Sequence, residues 1–123
     1  MSLLILLSSC KEEGPKDEDV ALITARLYYE QLTSGKVKDF LAGMYHKDSI
    51  SPSYEEQLEA SMKMYLKQQR DEHQGIVSVK AVKAQRAEES GAVNAFLLLS
   101  YGDSTKEEVV VPMVKRRNLW LMK

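Results

Sequence analysis

The chain reads as an α+β domain, with three N-terminal helices packed on a four-stranded antiparallel sheet formed by its second half. Two observations predict this. Between residues 19 and 73, apolar residues recur at three- and four-residue spacing; from residue 76 onward, short runs rich in Val, Leu, Phe and Tyr alternate and are cut by turn residues. A third observation bounds the answer. With 123 residues, 44% hydrophobic and 28% charged, there is room for one domain around one core.

The first helix is expected from Asp19 to about Thr33, with Val20, Ile23, Leu27, Tyr28 and Leu32 as its apolar stripe. Asp17, Glu18 and Asp19 supply an N-cap and suit the positive helix end, and Ser34-Gly35 stops the helix. Val37, Phe40, Leu41 and Met44 share one face of a shorter second helix. His46 to Pro52 is a polar break. The third helix begins at Ser53, where Glu56 completes a capping-box pattern, and runs to about His73 before Gly75. Leu58, Met62, Tyr65, Leu66 and Gln69 form its inner stripe, so it is expected to lie across the sheet.

The first strand spans residues 76–88, and its faces change at Ala81 in a way that a β-bulge would reconcile. Glu89-Ser90-Gly91 makes the turn. In the second strand Val93, Ala95, Leu97, Leu99 and Tyr101 alternate, with Phe96 and Leu98 on the other face. The third, about Lys106 to Arg116, contains Pro112, which cannot donate to a ladder and so marks an edge or a bulge. Arg117-Asn118 turns into a last short strand, in which Trp120 and Met122 share a face.

Ahead of the domain, residues 1–9 form an apolar run too short to cross a bilayer, which takes roughly 20 residues. The run suits the apolar region of a secretory signal, and Leu7-Ser8-Ser9-Cys10 resembles the bacterial lipobox, whose cysteine is lipidated and becomes the new N-terminus. The alternative is a buried N-terminal strand with an incidental core cysteine. The polar stretch KEEGPKDED that follows favours the lipobox and reads as a tether. Its opening Lys-Glu-Glu resembles the acidic export signal of some Gram-negative surface lipoproteins, a plain linker being the alternative. The expected organisation is a lipoprotein signal at 1–10, a charged linker at 11–18 and one domain at 19–123. The expected place is the cell envelope of a Gram-negative bacterium, on either side of the outer membrane, with the membrane as a partner through Cys10.

Charge excludes one class of partner. Net charge is −1, from 17 basic and 18 acidic residues, with no broad basic face for nucleic acid. Lys115-Arg116-Arg117, beside a tight turn, reads as solvated turn charge. Cys10 is the one cysteine, so no intrachain disulfide forms, and His46 and His73 lie too far apart in sequence to suggest zinc.

The stretch LYYEQL followed by SGKVKDFL resembles the opening of nuclear transport factor 2-like domains, which begin with a helix, a small-residue turn and a short helix. The ending YGD, then VPMVK, then LWLMK resembles the last hairpin of that superfamily, whose fold is also described as a cystatin-like roll. Lys36 departs from it, since Asp is commoner there. The resemblance covers about 100 residues and implies a cone with a pocket between sheet and long helix. Its members include isomerases, dehydratases and pure binding or assembly domains, so the fold does not decide the activity.

No nucleophile elbow, phosphate-binding glycine loop or metal-ligand pair appears, and no cofactor is expected. Asp39, Asp48, His46 and the tyrosines are the available acid–base groups, and their spacing selects no pair. Tyr28, Tyr45, Tyr65, Tyr101 and Trp120, with Phe40 and Met62, are the set expected to line the core and the rim of the pocket. Three functions stay open: a lipid-anchored domain that binds a small apolar ligand or an envelope protein without catalysis, a small isomerase or dehydratase using the pocket, and a homodimeric assembly domain paired through the sheet.

Overall fold

A computed structural model describes residues 16–87 and 91–123. Cys10, the apolar run and most of the tether fall outside the described residues. Three helices, α1 (Asp17–Thr33), α2 (Val37–Ala42) and α3 (Pro52–His73), precede β1 (Ile76–Arg86), β2 (Val93–Tyr101), β3 (Lys106–Arg116) and β4 (Leu119–Met122). The strands form one antiparallel meander in the order β1-β2-β3-β4.

The sheet supplies most of the core. Every second residue of β2, from Val93 to Tyr101, is 5% exposed or less, so one face of the strand is sealed by the helices. Val79, Val111, Met113, Trp120 and Met122 continue that face on the neighbouring strands. The register of β1 against β2 slips between Ala81 and Lys83, the bulge that the change of faces called for. Pro112 lies within a strand paired on both sides, yet β4 ends just before reaching it. Its carbonyl accepts from Lys123 N–H at 2.8 Å, so its missing N–H points to the side where the ladder has run out.

Helix α1 begins two residues earlier than expected, taking Asp17 and Glu18 from the tether. Lys16 is its N-cap residue and makes no side-chain cap; the three acids sit in the first turn, where they complement the dipole. Its C-terminus is a Schellman motif, with Gly35 at φ +82° and Lys36 N–H bonded to Gln31 O at 2.9 Å. The expected stripe is turned inward only at its C-terminal end, where Leu32 is buried and Tyr28 half-buried against the core. Val20, Ile23 and Leu27 are 36%, 48% and 49% exposed, whereas Ala21 and Ala25 are fully buried with Leu32. Alanines let the helix axis approach the sheet, and Val20, Ile23 and Leu27 are rotated outward.

Helix α3 also differs from expectation. Its cap is Ser51, whose Oγ accepts from Tyr54 N–H at 3.1 Å, with Pro52 at the first turn; Ser53 is already helical. It has 22 residues but none of them is buried. Leu58, Met62, Tyr65 and Leu66 are only half-buried. The helix is fastened at its C-terminal end, where Gly102 N–H bonds Gly75 O at 2.9 Å and Asp103 N–H bonds His73 O at 3.1 Å. Of the turn before β2 only Gly91 is described, at φ +72°. Ala87 already lies outside β1, which ends at Arg86, and residue 88 falls outside the described set.

Candidate functional site

The aromatic residues expected to line one pocket are distributed over three places. Tyr28 donates its hydroxyl to Trp120 O at 2.7 Å, and Trp120 is a core residue. Phe40 is buried edge-on to Tyr29, at 5.3 Å between ring centres. Neither pair lines the large cleft.

Tyr101 and Tyr65 belong to a second place, with Met62 packed against the same core. Tyr101 donates to Glu107 Oε1 at 2.6 Å. Burial, and then this bond to a carboxylate, push the Tyr101 phenol far above its usual value. Burial likewise raises Tyr29 and Tyr65, and the negative charge of Glu107 adds to both. Beside them the His73 ring lies 5.1 Å from that of Tyr101, and its Nδ1 is 2.8 Å from Asp103 Oδ2. Asp103 also accepts from Thr105 N–H and Oγ1. The Thr105 bonds, followed by that to His73, lower its carboxyl to about 2. The cluster ties α3 to the β2–β3 turn.

Tyr45 alone of the expected set borders the large cavity, a cleft of about 1060 Å³. Three segments build it. The loop after α2 is held against β4, because Met44 bridges Met122, Tyr45 N–H bonds Met122 O and Met122 N–H bonds Gly43 O, both at 2.7 Å. The first two turns of α3 form one wall through Glu55, Glu56, Leu58 and Glu59. The β3–β4 hairpin forms the other through Arg116, Arg117 and Leu121. Leu41, Met44, Ile50, Leu58 and Leu121 make the floor, and each is half-buried. The Arg116 guanidinium stacks over the Tyr45 ring at 4.8 Å, where its charge meets the ring's negative face.

Among the available acid–base groups, His46 and Asp48 border this cleft with Ser49. Asp39 lies instead by a small recess of about 280 Å³ beside Lys36 and Lys63. Among the described residues, no side-chain hydrogen bond joins His46, Asp48 or Ser49 to a partner. Reading the sequence missed Arg116, Arg117, Leu58 and Leu121 as cleft residues. A signal existed for Arg117: a two-residue hairpin turn favours Asn or Gly at its first position, and here it carries an Arg at φ +54°.

No protein-family model and no curated protein matches the chain. Among solved structures, the chain is similar to one from Campylobacter jejuni described as a "Putative NTF2-like transpeptidase", with a TM-score of 0.64 and 12% identity over 80% of this chain and 93% of that one. At that identity the likeness speaks for the backbone arrangement and leaves the chemistry open. Three helices on a four-stranded antiparallel meander, superposable on that neighbour, give this chain the nuclear transport factor 2-like fold.

Proposed function

We propose that this chain is a lipid-anchored envelope protein whose domain binds a ligand in the cleft between α3 and the β3–β4 hairpin, without catalysis. The cleft carries the reading. Its volume, about 1060 Å³, lies just above the usual range of ligand sites, roughly 300–1,000 Å³. Five half-buried apolar side chains converge on its floor. Burying such surface contributes roughly 25 cal/mol per Å², so a ligand lying on it is favoured by desolvation alone. The name of the Campylobacter jejuni neighbour suggests acyl transfer, a reaction that needs a nucleophile activated by an adjacent base. Ser49 in the cleft makes no hydrogen bond to His46 or Asp48, which border it too, and this favours binding over transfer.

An uncharged apolar dye such as Nile red tests the cleft. Its fluorescence should rise on mixing with the protein and stay low with Leu58→Asp, while the thermal melt of the variant is retained, because Leu58 is half-buried and stands apart from the core cluster. Equal fluorescence with the variant would place the dye elsewhere and remove the reading. The anchor rests on Leu7-Ser8-Ser9-Cys10 followed by a polar tether. Cys10→Ser should move the protein from the membrane fraction to the soluble one, and unchanged retention on membranes would refute lipidation at this residue.

A further inference from the structure

The two walls of the cleft carry opposite charge. On the α3 side Glu55, Glu56 and Glu59 follow at helical spacing and share one face. On the hairpin side stand Arg116 and Arg117. Ion pairs among the described residues involve Glu59, which bonds Lys63 at 3.0 Å, and leave Arg116, Arg117, Glu55 and Glu56 without a protein partner of opposite charge. The cations Lys38 and Lys47 and the anion Asp48 also line the cleft. The charges of the lining therefore cancel while remaining separated in space.

Arg117 strengthens the argument. It occupies the first position of a left-handed two-residue turn, at φ +54°, with Asn118 at +64°. That backbone favours Gly, Asn or Asp. Arg at this site works against local preference, as expected where the side chain serves another purpose.

Resting on the cleft reading above, we propose that the ligand is an extended peptide segment of mixed charge, with an anionic group against Arg116 and Arg117, a cationic group against Glu55 and Glu56, and apolar side chains on the floor between. A polyanion would be repelled by the α3 wall. A wholly apolar ligand can lie on the apolar lining but leaves the charged walls unused. A zwitterionic lipid headgroup holds its two charges a few bonds apart, whereas the walls come from elements on opposite sides of the trough. A peptide separates its charges over several residues and presents apolar groups between them.

The test is fluorescence anisotropy of the full chain with three labelled eight-residue peptides. The first has Arg near one end, Glu near the other and Leu and Ala between. The second has Gln at both charged positions, and the third has Glu at both. The mixed-charge peptide should bind about tenfold more tightly than the Gln peptide, the sum of a few exposed pairs, and the advantage should vanish in roughly 1 M salt, where screening reaches about 3 Å. Arg116→Gln with Arg117→Asn, the second chosen to suit the turn, should erase the advantage of the mixed-charge peptide over the Gln peptide. Glu55→Gln with Glu56→Gln should do the same. Equal affinities for all three peptides, tightest binding by the doubly acidic one, competition by phosphatidylethanolamine vesicles, or no binding at all would each overturn the proposal. Nile red decides the underlying reading separately. Dye bound in a Leu58-dependent way with no discrimination among peptides removes the ligand class and keeps the cleft.

Discussion

At the scale of single residues, the side chains with the most consequence are those whose partners the strand register decides. Tyr101 was legible as an inward residue, because β2 alternates without a break. Its carboxylate partner was not. Glu107 and Glu108 are adjacent and alike in sequence, and only the pairing of Leu99 with Glu107 puts the first on the inner face. The His73–Asp103 contact was hidden in the same way, since 30 positions separate the two residues. Asp103 has a consequence for acid stability. Its folded carboxyl is lowered to about 2 from an ordinary 3.8. Above both values it is ionised in the folded and unfolded chains, and its contribution to stability is complete. As pH falls from about 4 toward 2 the unfolded chain takes up the proton first, and that contribution is lost. Asp103→Asn should therefore lower stability at neutral pH and flatten the acid limb between pH 4 and 2 in chemical denaturation. An unchanged slope would show that the contact with His73 and Thr105 does not form in solution.

At the scale of elements, strands were more legible than helices. The limits of β3 and β4 and the bulge in β1 follow from alternation and turn residues. Helix α1 was placed nearly correctly along the chain but rotated about its axis. Periodicity weights large apolar residues, and so it selects Val20, Ile23 and Leu27; the close approach to the sheet selects Ala21 and Ala25. The rotation can be measured. Ala25→Leu forces extra methylenes into a filled contact and should destabilise by about 1–3 kcal/mol. Ile23→Lys, a larger change on any hydropathy scale, should stay within about 0.5 kcal/mol. Thermal denaturation showing the opposite order would put the Val20 face inward. The start of α3 shows the same limit at its cap. Ser51 and Ser53 both fit a capping pattern, and the extended backbone of Ser51 ahead of Pro52 decides between them.

At the scale of the whole molecule, the arrangement of helices on a meander was legible because each half of the chain keeps one periodicity. The cleft was legible only in part: Tyr45, His46 and Asp48 stood out in the sequence, but Arg116, Arg117 and Leu121 reach it from the far end of the chain. The sheet face turned away from the helices bears on assembly. Across the strands, Lys80, Leu98 and Glu108 form one row, and Lys83, Phe96 and Val110 the next. A two-fold axis along β2 would lay each Lys80 over the partner's Glu108, with Leu98 and Phe96 between, a self-complementary pattern. We propose a homodimer through this face. Sedimentation should show a mass that rises with concentration, a monomer for Lys80→Glu, and recovery when Glu108→Lys is added. A monomer at every concentration would remove the dimer and leave the cleft untouched.

The shallow seating of α3 has a further consequence. Its first two turns place nothing against the core; Met62, Tyr65 and Leu66 further along pack against it, and the fully buried residues lie on the sheet, α1 and α2. Substitutions in its first two turns therefore alter what the cleft recognises while changing stability by only about 0.5 kcal/mol each. The α3 wall and the core rest on separate sets of residues, so that wall is free to diverge between related chains without weakening the scaffold that presents it.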